Sequence, residues 1–401
     1  MTERIVEIGN FATDRYAAMQ LIPWWDQARI AAARVLVVGA GALGNEVLKN
    51  LALLGTGYIA VLDRDVVEVS NLTRSVLYRA DDAGRPKACV AAERLCELNP
   101  DVRAIALHGR LERIAGVGLV RRFDAVFGCL DNAGARVALN RLCAGAGVPW
   151  IDGSLDVLMG AVRTFIPPDG PCYECTMAER DYALAGLRHA CAFVPEDERL
   201  RGRIPTTPTS ASIVAALQVQ EWLKLLHGRA PTPGQRIFFE GSSLRLRVLI
   251  DARRRGCPGH RRLGEIARLP LAAGATLAAV LSAANARLGE PSVLLCDREV
   301  VTGLDCPRCG RHDDVHRPLD EVAPGGLACQ SCGAERTPDI AVRLHAGGAA
   351  GDVAVGQLGV PPLGPVIVET AAGRRAAFEL GGDTEGVLPG WPMTASQEVA
   401  T

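Results

Sequence analysis

Three glycines, a scatter of charged side chains and a set of paired cysteines carry most of the chemistry this sequence could perform. Gly39, Gly41 and Gly44 follow an apolar run in RVLVVGAGALGNEVLKNLALLG. A turn without side chains lets the backbone approach a phosphate, and a helix starting there offers free N–H groups and its positive dipole end. Asp63 closes the next apolar run, about twenty residues past the last glycine, where a carboxylate can hold a ribose hydroxyl. Just beyond it, DRDVVEVSNLTRS and GRPKA add Asp65, Asn71, Arg74 and Lys87. A triphosphate carries more charge than a bridging pyrophosphate, so basic clamps beside the turn point to a nucleoside triphosphate. FDAVFGCLDN then ends in Asp131 and Asn132, where a strand end can offer a carboxylate to magnesium.

The paired cysteines suggest metal chemistry. GPCYECT contains Cys172 and Cys175, and RRRGCPGHRR contains Cys257 and His260. Together they supply four ligands for a tetrahedral zinc whose closed shell makes it structural. Cys306 and Cys309, followed after nineteen residues by Cys329 and Cys332, have the spacing of a four-cysteine zinc ribbon. His312 and His316 beside them read as solvated loop residues rather than ligands. Cys191 stands apart, in the arginine-rich, proline-broken stretch AERDYALAGLRHACAFVPEDERLRGRIPTTPTS, which reads as a long loop. Arg188 and His189 next to it would raise its thiolate fraction. Cys89, Cys96, Cys129 and Cys143 have no cysteine partner at ligand spacing and read as small core fillers.

These residues need a frame. Apolar runs at 34–38, 58–62, VRAIAL, DAVFGCL and VPWIDGS alternate with helical patterns at 45–54, 87–98 and 133–146. Pro86 suits the start of the second helix, and Asn99-Pro100 ends it. The alternation predicts an α/β fold, a Rossmann-like and mainly parallel sheet with helices on both faces. SASIVAALQVQEWLKLL is a further amphipathic helix, and RIFFEGSSLRLRVLI a closing hairpin. We divide the chain into an N-terminal arm (1–33), broken at Pro23 and carrying Trp24 and Trp25, and a nucleotide domain (34–260). Within that domain a long loop covers about 176–209. A small C-terminal domain (261–382) follows, with a helix in ATLAAVLSAANARLG, one or two strands in SVLLCDREVVTGL, and the ribbon. A poorly ordered tail (383–401) is expected to end it.

In order and spacing, GAGALG, LDRDVVEVSNLTR, GRPK and CLDN resemble the superfamily of ubiquitin-activating enzymes and their bacterial relatives, over residues 10 to 260 or so. Those relatives adenylate sulfur-carrier proteins for molybdopterin and thiamine synthesis. The resemblance implies ATP and Mg2+ as cofactors. Arg15, Asn71, Arg74 and Lys87 would contact the phosphates, Asp63 the ribose and Asp131 the magnesium, while Asp65 would support Arg74 or help position the metal. Arg15 matches an arginine that often reaches the nucleotide across a homodimer. The family's structural zinc uses two Cys-x-x-Cys pairs, from which His260 departs. Cys191 falls in the segment that crosses over the carrier tail and, in many members, bears the acceptor cysteine.

The implied reaction begins with attack of a carrier's C-terminal carboxylate on the α-phosphate of ATP, releasing pyrophosphate and leaving an acyl-adenylate. Cys191 would then take the acyl group as a thioester for a conjugating enzyme. A sulfur-carrier activator that stops at the adenylate is the alternative within the family. A nicotinamide-dependent dehydrogenase shares the glycine turn and ribose carboxylate but leaves Arg74, Lys87 and Asp131 unexplained. An inactive adaptor working through the ribbon leaves the whole polar set unexplained.

Composition narrows the setting. Lys plus Arg (44) nearly balances Asp plus Glu (45), so no global field recruits nucleic acid or an anionic membrane. The start MTERIVEIGNF has no basic segment followed by an apolar one, and no uncharged apolar run reaches membrane-spanning length. We therefore expect a cytoplasmic protein, in which an odd count of 13 cysteines favours metal and thiol chemistry over disulfides.

Overall fold

Val35, Leu36, Val37 and Val38 are all buried to within 1%, which places β1 (Arg34–Val38) at the centre of a sheet covered on both faces. The structure, a computed structural model, describes residues 11–182, 206–229, 233–260, 266–322 and 324–392. Its large sheet has eight strands in the order β3-β2-β1-β4-β5-β6-β7-β8. β2 (Tyr58–Asp63), β3 (Arg103–His108), β4 (Ala125–Gly128) and β5 (Trp150–Asp156) run parallel to β1. β6 (Met159–Phe165), β7 (Gln235–Glu240) and β8 (Arg245–Ile250) complete it as an antiparallel meander.

Side-chain alternation along β1 and β2 sends Val35, Val37, Ile59 and Val61 to one face, and Leu36, Val38, Ala60 and Leu62 to the other. The first face packs against α1 (Ala42–Leu53), α2 (Lys87–Leu98) and α4 (Pro208–Leu226); the second packs against α3 (Ala133–Ala146) and the short helices Leu111–Ile114 and Val117–Val120. The parallel register pairs Val38 with Leu62 and Gly128, and Asp63 with His108. Gly39, Asp63, Gly109 and Cys129 therefore leave the sheet at one edge. In the N-terminal arm, Trp25 stacks on His227 at the end of α4 (5.7 Å) and Trp24 meets the same ring edge-on (5.2 Å).

The C-terminal domain has a six-stranded sheet, ordered β11-β10-β13-β14-β9 with β12 also paired to β10. Its strands are β9 (Ala267–Leu269), β10 (Ser292–Asp305), β11 (His312–Pro318), β12 (Thr337–Leu344), β13 (Pro365–Thr370) and β14 (Arg375–Leu380), with α5 (Leu277–Leu288) packed on one face. The SVLLCDREVVTGL run forms one strand whose register shifts between Leu295 and Val300. His312 and His316 lie on β11 rather than in a loop, and His316 is buried. Cys143 is buried as expected of a core filler, but Cys96 is exposed on α2.

The last described segment differs from the expected loose tail. Residues 383–392 include a short helix, Thr384–Val387, and return to the nucleotide domain. There Leu388 joins the core under β1 and β2, and the Trp391 ring sits edge-on to Tyr58 (5.3 Å) and Phe123 (5.7 Å). Residues 393–401 lie outside the described residues. No helix among the described residues is long and apolar enough to cross a membrane. Trp391→Ala removes the ring contacts with Tyr58 and Phe123; it is expected to cost about 2 kcal/mol in chemical denaturation, whereas substitution of the exposed Leu53 is expected to be close to neutral.

Candidate functional site

The glycine turn is built by three glycines with different tasks. Gly39 has φ +97°, and a Cβ there would lie 2.3 Å from the Cys129 carbonyl oxygen. A Cβ at Gly44 would lie 1.9 Å from the Gly39 carbonyl oxygen. Both glycines therefore serve close backbone packing. A Cβ on Gly41 would meet nothing within 4 Å. Gly41 is thus the member of the trio that faces open space at the start of α1, where a phosphate can approach.

Asp63 fixes this turn. Its carboxylate accepts from the Ala40 N–H (2.6 Å) and from the Asp65 N–H (2.7 Å). Burial raises the Asp63 carboxyl above its ordinary value, and these two donors oppose that shift. Two residues missed from sequence complete the lock. Asn45 donates to the carbonyls of Ala40 (2.7 Å) and Gly41 (3.0 Å) while accepting from Leu77 N–H (2.9 Å), and the Tyr78 hydroxyl donates to Ala40 O (2.6 Å). A buried Asn at the head of an apolar helix was the available signal for the first; nothing in the local pattern marks Tyr78.

Lys87 opens α2 and points its ammonium at Asp65 Oδ2 (3.3 Å), with only 11% of the side chain exposed. Asp65 therefore partners Lys87, and on its other oxygen Arg64 (3.5 Å), rather than Arg74. Asn71 is buried in a short 3-10 turn and accepts from Glu68 N–H (3.0 Å), and Arg74 donates to the Ser70 carbonyl (3.1 Å). Asn132 caps α3, its Oδ1 accepting from Ala135 N–H (2.8 Å), and its amide donates to the exposed Asp131 (3.1 Å). The loop carrying Asp131 is held by Arg136, which donates to the Leu130 carbonyl, to Asp152 Oδ1 (2.9 Å) and to Gly153 O (3.1 Å).

Two expected members are not brought to this edge within one chain. Arg15 lies beside Asp101 (3.9 Å), just before β3 begins and so at the opposite end of the sheet. Cys191 lies outside the described residues.

The four ligands from two distant turns do converge. Cys172, Cys175, Cys257 and His260 have donor atoms within 4.8 Å of one another, as do Cys306, Cys309, Cys329 and Cys332. Sulfur separations of 3.7 Å (Cys172–Cys257), 3.9 Å (Cys172–Cys175), 3.5 Å (Cys306–Cys332) and 3.7 Å (Cys309–Cys329) match the roughly 3.8 Å expected when sulfurs surround one tetrahedral zinc. Burial pushes the Cys172 thiol up to about 12, so a thiolate there needs a cation to compensate it. Burial and Arg253 hold His260 below its usual range, in the neutral form that ligates metal. Glu174, fully buried between these cysteines and α3, is held by Arg141 (2.8 Å) and Asn140 (3.1 Å).

A family model for the ThiF family matches residues 13–259. The chain belongs to the ThiF family. Among relatives of this ThiF-family chain, the sulfur carrier protein ThiS adenylyltransferase of Escherichia coli is 32% identical over 233 residues, covering 58% of this chain and 87% of that one. The sulfur carrier protein adenylyltransferase of Thermus thermophilus is 34% identical over 254 residues, covering 61% and 89%. The SAMP-activating enzyme E1 of Haloferax volcanii is 34% identical over 234 residues, covering 58% and 82%. A solved structure of Escherichia coli MccB with ATP superposes with a TM-score of 0.51 at 22% identity, over 63% of this chain and 75% of that one, a likeness of fold.

Two outcomes test this geometry directly. Gly41→Ala is expected to leave stability within about 1 kcal/mol, whereas Gly44→Ala, driven into a carbonyl oxygen, should destabilise by several times that in the same denaturation assay. Elemental analysis of the purified protein is expected to give two zinc ions per chain, falling to one in Cys257→Ser and to one in Cys306→Ser.

Proposed function

We propose that this protein uses ATP to adenylate the C-terminal carboxylate of a ubiquitin-like sulfur-carrier protein. The observation that carries the reading is the open face of Gly41 at a helix start, flanked by Lys87, Asp63 and the Asp131 loop on one sheet edge. The relatives named for sulfur-carrier adenylation support it over the thioester-forming reading made from sequence. Phosphates at Gly41 would draw Lys87 from Asp65 and engage Arg74 and Asn71, Asp63 would hold the ribose, and Asp131 would hold Mg2+, which neutralises charge on the phosphates. The chain's task is alignment of the incoming carboxylate with the α-phosphorus, since in-line attack expels pyrophosphate with little further chemistry.

The carrier has a suitable surface. β8 is the sheet's edge strand, and Leu246, Val248, Leu249 and Ile250 are exposed along it, with exposed Leu244 in the turn before it and exposed Leu158 and Met159 nearby. Arg15 would serve the site of a second subunit in a homodimer, since it faces away from its own. Zinc would fill both cysteine clusters as structural staples. Cytoplasmic residence fits this chemistry.

ATP–pyrophosphate exchange that depends on added sulfur-carrier protein is the deciding assay. Lys87→Ala and Arg74→Ala are each expected to lower it about 10²-fold, and absence of exchange in the wild-type protein with ATP, Mg2+ and carrier would overturn the reading. Cys191→Ala is expected to leave exchange unchanged. A thiol-sensitive conjugate that vanishes in this variant would restore the thioester route and a conjugating-enzyme partner.

A further inference from the structure

The turn after β3 belongs to the same sheet edge as Gly41 and Asp63. Gly109 N–H donates to the Asp63 carbonyl (3.0 Å), and His108 Nδ1 lies 3.2 Å from that oxygen. With phosphates at Gly41 and ribose at Asp63, the base falls among the strand ends beside Asp63, so the shape of this turn bears on nucleotide binding.

Residues that follow in the turn are gripped from outside the domain. Arg110 pairs with Asp320 (3.1 Å) and Arg113 with Glu321 (3.3 Å), both carboxylates lying just past β11 in the C-terminal domain. Arg298 on β10 ties the two acids together, at 3.1 Å from Asp320 and 3.3 Å from Glu321. Arg113 also donates to the Gly356 carbonyl. The acid side chains are only 17% and 18% exposed, so the pairs are less screened than ordinary surface ion pairs. Every one of these acids lies beyond residue 259, where the family match ends.

A second interdomain ion cluster provides an internal control. Glu379 on β14 pairs with Arg121 and with Arg268 (3.3 Å), and nearby Gly118 N–H donates to Leu363 O (3.0 Å). Arg121 stands shortly before the start of β4, at the end of the sheet remote from Gly41.

We propose that Asp320 and Glu321 are positioning residues for nucleotide binding: by fixing Arg110 and Arg113 they hold the turn after β3 in the form that receives base and ribose. The proposal rests on the ATP reading above. It is tested on the full-length chain by titration with Mg–ATP and by carrier-dependent pyrophosphate exchange. Asp320→Asn/Glu321→Gln is expected to raise the Kd and KM for ATP about tenfold with kcat within about twofold, the pattern of lost uniform binding. The single variants, which place less of the fold at risk, are expected to show the same split at about threefold each. Glu379→Gln, which loosens the domains at the far end, is expected to keep the wild-type KM. Unchanged ATP affinity in the Asp320 and Glu321 variants, or an equal rise in Glu379→Gln, overturns this proposal alone. Wild-type protein that binds no ATP overturns the ATP reading with it.

Discussion

The carboxylate of Asp63 accepts from Ala40 N–H after β1 and from Asp65 N–H after β2, so two loops that must act together share one anchor. Everything placed around the open face of Gly41 follows from that anchor. The Ala40 link sets the path of the glycine turn, and the Asp65 link starts the segment that carries Asn71 and Arg74 and returns to Lys87, whose N–H donates to Asp65 O (2.9 Å). Asn45 and Tyr78 hold the same turn from beneath. A buried carboxylate is costly to leave unpaired; here one backbone donor satisfies each oxygen.

The strands and helices of the nucleotide domain were readable because their residues obey short-range rules. A five-residue apolar run buried on two faces has few alternatives to a central parallel strand, and Pro86 and Asn99-Pro100 bracket α2 with local stereochemistry alone. The two ligand clusters were equally plain, since Cys-x-x-Cys or Cys-x-x-His spacing is itself a geometric statement about a knuckle. Other features depend on partners far along the chain. Asp65 lies close in sequence to both Arg74 and Lys87, and only the Val66–Pro86 bridge decides for Lys87. Asn132 beside Asp131 reads as a nucleotide contact, and its cap on Ala135 N–H is seen only in the fold. Arg136, Asn45 and Tyr78 hold backbone carbonyls, and carbonyls leave no trace in residue types. The return of Trp391 to Tyr58 was invisible for the same reason, as a lone aromatic in a polar terminal stretch has no periodicity to betray its neighbour.

Cross-chain ties recur in this molecule at positions where local core is thin. Cys172 and Cys175 lie 85 residues from Cys257 and His260, and their convergence pins the end of the nucleotide domain to α3 through Glu174 and Arg141. The ribbon does the same for the long strands β10, β11 and β12, whose exposed outer residues offer little hydrophobic support.

The placement of Leu388 and Trp391 bears on how the chain is made. These side chains complete a core that begins with β1 and β2, yet the whole C-terminal domain precedes them in the chain. During synthesis the nucleotide domain must wait, with Tyr58 and Phe123 uncovered, until the whole C-terminal domain has been translated between its first strand and its final contact. A chain that stops short within the C-terminal domain therefore carries an open seam in the nucleotide domain.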